Sequence, residues 1–283
     1  MSSVSHAVLV TGCSTGIGRA TAVLLAQSGK TVYATARREE AIADLRDVGC
    51  KTLLLDVTEE SSMRSAVDHI VAAEGAVGVL VNNAGYSQSG AVESVSPGEL
   101  RRQFETNVFG LTRMIQLVLP GMREQRWGHI VNLSSAAANF SFPGAGVYSA
   151  TKYAVEALSD SLRFEVGGFN IGVTLIQPGM VRSSFGATAA ADTPQTQDGP
   201  YAALNASVAK MSTEFYETGP VARLVVGPEA VAKAIVAALD ARSPKIRVRV
   251  GPSAHLFIGL RKLVTDRLWD RFLALQFTQP GKT

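Results

Sequence analysis

Cysteine is scarce in this chain. Cys13 and Cys50 are the only two, and neither sits in a Cys-x-x-Cys pair or beside a histidine. That excludes a thiolate metal framework and points to a reducing compartment, with one disulfide between the two left open. Net charge is equally slight: 27 Lys and Arg against 24 Asp and Glu give +3 at pH 7, with an isoelectric point near 8.9. The charges are dispersed, with no basic stripe interleaved with aromatics, so nucleic acid is not an expected partner. No apolar run approaches membrane-spanning length, and the first apolar strand begins too close to Met1 to leave room for a signal peptide. The expected location is therefore cytoplasmic. No Pro/Ser linker divides the chain, and 283 residues at 46% hydrophobic content suffice for one sizeable core.

What the chain does contain is a chemically dense segment over residues 134–152. Ala154, Val155, Ala157, Leu158 and Leu162 follow helical spacing, and a helix that already includes Tyr148 sets Tyr148 and Lys152 one turn apart on one face. A phenol and an ammonium then share a small site. A free phenol ionises near pH ~10, so proton exchange near neutrality needs about three units of help, roughly 4 kcal/mol. One cation at about 4 Å in an effective dielectric of ~20 supplies energy of that order. Ser135 follows the apolar run Ile130-Val131-Asn132-Leu133, so its hydroxyl emerges at the carboxyl end of a predicted strand, where open α/β sheets place ligands. A Tyr-x-x-x-Lys pair alone is common on helix surfaces. Its weight here comes from the stretches around it.

Ala7-Val8-Leu9-Val10 reads as a short buried strand, followed by Thr11-Gly12-Cys13-Ser14-Thr15-Gly16-Ile17-Gly18 and a helix carrying Ala20, Ala22, Val23, Leu24, Leu25 and Ala26. Strand, glycine loop and helix form the context in which backbone N–H groups receive a pyrophosphate, so Gly12, Ser14, Thr15, Gly16, Ile17 and Gly18 make the predicted cradle. The spacing Gly-x-x-x-Gly-x-Gly is neither Gly-x-Gly-x-x-Gly nor a P-loop. At the end of the next strand, residues 31–36, an NAD site would place an acidic residue against the ribose; Arg37 and Arg38 stand there instead. A guanidinium suits a ribose phosphate, so NADP(H) is expected over NAD(H), with Arg37 as main contact and Arg38 as second. The alternative is that both arginines are solvated and paired with Glu39 and Glu40. A third strand, residues 51–58, brings Asp56 and Val57 to the adenine end, where Asp56 accepts from the adenine amino group, caps the helix starting near Glu59, or both. A fourth ends in Asn82-Asn83-Ala84-Gly85, small enough for a dinucleotide to lie along the backbone.

Thr11-Gly12-x-x-x-Gly16-x-Gly18, Asn82-Asn83-Ala84-Gly85, Asn107, Ser135, Tyr148-x-x-x-Lys152 and Pro178-Gly179 together resemble the short-chain dehydrogenase/reductase family in order and separation, to about residue 250. The resemblance implies an α/β fold: a Rossmann-type doubly wound parallel sheet flanked by helices, in a single domain. It implies Tyr148 as acid/base, Ser135 holding the substrate oxygen, and Lys152 binding the nicotinamide ribose and favouring the phenolate. Asn107 would hold a water in the proton relay. It also sets Pro178, Gly179, Val181 and Ser183 over the nicotinamide, with Val181 and Ser183 at its carboxamide. A homodimer or homotetramer packed through helices near residues 100–120 and 150–165 is implied as well.

Beyond an irregular stretch over residues 186–200, Tyr201, Leu204, Val208, Met211 and Phe215 fall on one helix face, either a lid over an apolar substrate or ordinary core packing. A helix from Pro228 and a strand ending at Val250 complete an expected catalytic domain of residues 1–251, with a substrate loop over about 183–228. Residues 252–283 form a carboxyl-terminal helical extension. This tail is absent from the fatty-acid-synthesis reductases and resembles the hydroxysteroid and retinol dehydrogenase branch. Leu256, Leu260, Leu263, Val264, Arg267, Leu268, Trp269, Arg271, Phe272 and Leu273 describe one basic amphipathic helix. Because Asp266 and Asp270 interrupt its charge, it is expected to cover the pocket or make a subunit contact rather than rest on a membrane. The expected activity is hydride transfer between NADP(H) and an alcohol or carbonyl group of an apolar, steroid-, retinoid- or lipid-like molecule, without a metal. The alternatives are a 3-oxoacyl reductase and a non-catalytic NADP(H)-binding sensor.

Overall fold

Seven short apolar runs form seven strands: β1 (Val8–Val10), β2 (Val32–Ala36), β3 (Lys51–Leu54), β4 (Val79–Asn82), β5 (Gly128–Leu133), β6 (Ile171–Pro178) and β7 (Arg247–Val250). The computed structural model describes residues 4–182, 199–217 and 222–281. The strands make one sheet in the order β3-β2-β1-β4-β5-β6-β7, and every neighbouring pair is parallel. The chain runs outward from β1 to β3 and then returns to β4, so the winding reverses between β1 and β4, where doubly wound sheets open a crevice at their carboxyl ends. Strands β1, β2, β4 and β5 are buried along their whole length, whereas the edge strands β3 and β7 expose residues. Strands covered on both faces can be continuously apolar, which is why these runs do not alternate.

Period-two alternation divides the core into two layers. Leu9, Tyr33, Leu80 and Ile130 face one side, where they pack with α2 (Glu60–Glu74), α4 (Leu111–Glu124) and α5 (Gly146–Gly167). Val8, Val10, Val32 and Ala34 face the other, against α1 (Gly16–Gln27) and α7 (Pro228–Asp240). The remaining helices are α3 (Pro97–Phe104), α6 (Ala202–Glu217), α8 (Pro252–Leu263) and α9 (Asp266–Ala274). Helix α3 starts on a capping box, Ser96 with Glu99. Cys13 and Cys50 are both buried free thiols, which removes the disulfide option. Among the described residues no helix is long and apolar enough to cross a membrane.

Two expectations change here. The tail is two helices, broken where Val264 and Thr265 take extended backbone angles, as β-branched residues do readily. The break re-aims the stripe: Ala254, Ile258 and Trp269 turn inward, while Leu256, Leu263 and Leu268 are exposed. The third strand stops at Leu54, and Asp56 does not cap α2, whose N-cap is Glu59. Instead Asp56 Oδ1 accepts from the N–H and hydroxyl of Thr58 at 2.9 and 2.7 Å, a local turn that competes with the cap.

Candidate active site

The loop after β1 is shaped by close approach. Gly12 and Gly16 have φ of +73° and +59°, in the left-handed region that favours glycine. A Cβ on Gly12 would lie 2.9 Å from Ala84 Cα, and one on Gly18 would strike the Gly12 carbonyl and the Asn83 amide. Thr11 and Asn83 fix this contact from both sides. Thr11 Oγ1 accepts from the N–H groups of Asn83 and Ala84 at 3.0 Å each, while Asn83 Nδ2 donates to the carbonyls of Thr11 and Gly12 at 2.9 and 3.1 Å. The asparagine side chain therefore holds the loop from behind. Thr15, the N-cap of α1, makes no side-chain cap bond to the first turn, and Ser14 and Thr15 are exposed beside it. Ile17 lies half-buried beneath them. Such a glycine loop before a helix start could receive an anion such as a dinucleotide pyrophosphate.

At the end of β2, Arg37 and Arg38 are exposed. The alternative, pairing with Glu39 and Glu40, does not form: Glu39 binds Arg46 instead. No ion pair to Arg37 or Arg38 occurs among the described residues. Half-buried Asp56 and buried Val57 follow β3. The backbone at Val57 packs against Gly110 so closely that a Cβ there would overlap the Val57 carbonyl. Beyond Asn83, Ala84 is half-buried and Gly85 is exposed, with room for a Cβ only 3.0 Å from Asn107 Oδ1.

Tyr148 and Lys152 do lie one turn apart at the start of α5, with Lys152 Nζ 5.7 Å from the Tyr148 ring centroid. Lys152 is buried and donates to the Leu133 carbonyl at 2.7 Å. Burial pushes its pKa down to about 8, and the negative charge of Glu156 opposes that fall. Ser135 sits just past β5, half-buried; its Oγ accepts from the Ala137 N–H at 3.1 Å and thereby opens a short 3-10 turn, Ala136–Ala138. The height of α5 is set by a buried amide ladder. Asn82 Nδ2 donates to Asn132 Oδ1 at 3.0 Å, and Asn132 Nδ2 donates to Ser159 Oγ at 2.9 Å.

Asn107 is buried in a π-helical turn, Glu105–Gly110, that joins α3 to α4, and not in the regular helix its surroundings suggested. Such turns recur at functional sites. Its side chain is occupied: Oδ1 accepts from the Tyr86 N–H at 3.1 Å, and Nδ2 donates to the Tyr86 carbonyl at 2.9 Å and to Thr151 Oγ1 at 3.2 Å. Gln103, one turn earlier, clamps the same strip by accepting from the Gln88 N–H at 2.9 Å and donating to the Tyr86 carbonyl at 2.8 Å. Thr151 in turn donates to the Tyr148 carbonyl at 2.7 Å. The side chain of Asn107 thus ties the loop after β4 to the helix that carries Tyr148.

On the substrate side, Pro178 ends β6 and Gly179 turns against α8. The Met180 N–H donates to Ser253 Oγ at 2.8 Å, and a Cβ on Gly179 would overlap that oxygen. Val181 is buried and bridges Val226. Ser183 lies outside the described residues, as do residues 184–198 and 218–221 of the expected substrate loop; Met211 and Phe215 fall on the part of α6 whose side chains are not described. The described part of α6 faces inward. Leu204 and Val208 pack with Ala91, Phe142 and Phe277, and Asn205 Oδ1 accepts from the Ala91 N–H at 2.9 Å. Phe140 and Phe142, between Ser135 and Tyr148, pack in turn on Phe257 and Trp269 of the tail. Gln103, Glu156, Asn205 and Ser253 were missed by sequence reasoning. Gln103 and Glu156 carried a usable signal, each four residues from a recognised site residue; the others are defined only by distant partners.

Known proteins share this fold. The family model described as short chain dehydrogenase matches residues 6–194. A 3-ketodihydrosphingosine reductase from Bacteroides thetaiotaomicron is 35% identical over 256 residues, covering 90% of this chain and 91% of its own. An NADPH-dependent 3-dehydrocapnine reductase from Ornithobacterium rhinotracheale is 33% identical over 273 residues, covering 93% and 94%. Among solved structures, a short-chain dehydrogenase from Streptomyces avermitilis is 35% identical, covers 95% of this chain and 97% of its own, and superposes with a TM-score of 0.79.

Proposed function

We propose that this chain, which belongs to the short-chain dehydrogenase family, reduces or oxidises an apolar carbonyl or alcohol with NADP(H), using Tyr148, Lys152 and Ser135. The coarse part is established by the family: it is an oxidoreductase of a nicotinamide cofactor acting on alcohol or carbonyl groups. The observation that carries this reading is the placement of Tyr148 and Lys152 on one helix face, with Lys152 bound to Leu133 at the carboxyl end of β5, two residues before Ser135.

The cofactor supplies the hydride when bound. Its pyrophosphate would rest on the loop from Gly12 to Gly18, its adenosine end on Arg37, Arg38, Asp56 and Val57, and its nicotinamide end between Asn83–Gly85 and the turn of Pro178, Gly179, Val181 and Ser183. Exposed Arg37 and Arg38, unpaired with the carboxylates beside them, support a phosphate-bearing adenosine ribose. In the reducing direction Ser135 donates a hydrogen bond to the substrate carbonyl oxygen, and Tyr148 transfers its phenolic proton to that oxygen. Lys152 stabilises the resulting phenolate by charge. Asn107 positions the helix start through Thr151, and a relay water is assigned to its main chain because its side chain is engaged.

The apolar cluster that Leu204 and Val208 form with Phe142, in the segment between Ser135 and Tyr148, supports an apolar substrate held under α6 as a lid. The ketone substrates named for the two reductases above support the reducing direction. The extension closes the pocket by packing on Phe140 and Phe142. A homodimer or homotetramer through α4 and α5 accounts for Phe164, 90% exposed on α5. The test is nicotinamide absorbance change across a panel of long-chain and cyclic ketones and alcohols, with both cofactors, for wild type and Tyr148→Phe. Turnover that vanishes in the variant with NADPH binding retained is expected; turnover that survives it contradicts the assignment.

A further inference from the structure

The proposed mechanism uses Lys152 as a buried cation, and nothing in it explains why a second, nearly buried charge stands one turn away. Glu156 follows Lys152 by four residues on α5, and its side chain is only 12% exposed. Three donors hold it: Ser134 Oγ and Gln177 Nε2 on Oε1, the latter at 2.9 Å, and Arg247 Nε on Oε2 at 2.8 Å. Lys152 is pinned to the carbonyl of Leu133, the residue before Ser134. The ammonium and the carboxylate are therefore anchored to adjacent residues at the end of β5, and the distance between them is fixed by backbone. Arg247, on the edge strand β7, also reaches Asp160 Oδ2 at 2.6 Å.

That second ion pair already ties β7 to α5. A salt bridge placed only for structure would stay at the solvated Asp160 position, since burying a carboxylate carries a desolvation penalty that pairing barely offsets. The charged groups around Lys152 are few among the described residues. On its own helix they are Glu156, Asp160 and the ionisable phenol of Tyr148. On β7 they are Arg247 and, opposite Gln177 on the same strand, Arg249. The nearby anchors from β5 and β6, Leu133, Ser134 and Gln177, are uncharged.

We infer that Glu156 and Arg247 form a charge lever that sets how strongly Lys152 holds its proton, and through it the range of pH over which Tyr148 is competent. Glu156 supports the ammonium; Arg247, by drawing on the same carboxylate, moderates that support. The inference rests on the proposed roles of Tyr148 and Lys152. Its value to the enzyme is that a buried lysine, which desolvation would otherwise discharge, keeps its charge at working pH.

A structural bridge and an electrostatic lever predict different signs, because Glu156→Gln and Arg247→Gln break the same contact but remove opposite charges. The readout is the titration of Lys152 in intact protein, followed by carbon-13 NMR at the lysine Cε, with Lys152→Met used to assign its signal. Glu156→Gln moves the midpoint down by about one pH unit, the shift of a unit charge on the order of 10 Å away in an effective dielectric near ~20, and Arg247→Gln, whose charge is partly solvated, moves it up by less. Glu156→Asp restores most of the wild-type midpoint. Both variants shifting in one direction, or neither shifting, overturns the inference. The titration needs no substrate, so a failure there leaves the Tyr148 assignment standing. Turnover that persists in Tyr148→Phe removes that assignment, and with it the catalytic half of the inference.

Discussion

The amino and carboxyl ends of the parallel strands each bury a basic side chain, and burial depresses the pKa of both, with opposite consequences. His129 near the start of β5 is pushed down to about 4, and its Nε2 pairs with Thr174 Oγ1 at 3.0 Å. At neutral pH it is uncharged, and burial carries no ionic cost. Lys152 at the other end of the sheet is pushed down to about 8, so at pH 7 it is a buried cation held by one carbonyl and a neighbouring carboxylate. The same asymmetry extends to their surroundings. At the amino ends, Ser5 donates to Ala76 and Gln125, and Tyr33, Lys51 and Glu74 close a triangle of hydrogen bonds. Those contacts join one element to the next. At the carboxyl ends, Thr11, Asn83, Gln103 and Asn107 brace backbone so that other groups are free to meet a ligand. A fold that stabilises one end and loads the other with an uncomfortable charge supports the proposal that its chemistry is at the second.

Breaking the carboxyl end should have the largest effect and should register in rate. Tyr148→Phe lowers turnover by about a thousand-fold, within the range of general acid–base contributions, while the thermal midpoint stays put. Calorimetry and nicotinamide absorbance on one preparation check both halves.

Lys152→Met should lose activity yet gain stability. The native pKa lies below the unfolded one, so the unfolded state binds more protons between them. Wild-type stability therefore rises as pH climbs from about 8 towards the ordinary lysine range. The variant is expected to be more stable by about 3 kcal/mol at pH 7, with most of the advantage gone by pH 10. Urea unfolding at pH 7 and pH 10 measures it, and a variant less stable at pH 7 would show that the ammonium is not a burden.

At the amino end the effect is on stability alone and has the acid sign. His129 resists protonation in the native state, so the stability it contributes is complete above the ordinary histidine pKa and drains away as pH falls towards about 4. His129→Gln should remove about 3 kcal/mol of acid sensitivity over that window, seen as a flatter plot of unfolding free energy against pH, with turnover unchanged. The smallest expected effect is at the crevice rim. Arg37→Ala should reduce the preference for NADPH over NADH by about ten-fold, the loss of one solvent-exposed charge-assisted contact, with kcat little altered. An unchanged ratio would mean that another group reads the ribose.

Much of this contrast was legible in the sequence because its causes are local. Buried parallel strands show as short apolar runs, the cradle shows as three glycines between a strand and a helix, and the Tyr148–Lys152 face follows from helical pitch. What escaped depends on separation. Ser253 holds the Met180 N–H across 73 residues, and Asn205 holds that of Ala91 across 114. No local pattern marks either partner. Asn107 was found for its spacing, but its π turn and its engaged side chain follow from contacts with Tyr86 and Thr151. The tail was misread for a related reason: a continuous stripe drawn through Leu256, Leu263 and Leu268 ignored the two extended residues that rotate α9 relative to α8.

The most direct measurement is a paired one: turnover and unfolding free energy on the same preparations of Tyr148→Phe and His129→Gln. Tyr148→Phe should lose turnover and keep its stability, and His129→Gln should keep turnover and alter only the response to acid. Turnover retained in Tyr148→Phe, or lost in a folded His129→Gln, would place the chemistry somewhere other than the carboxyl end of the sheet.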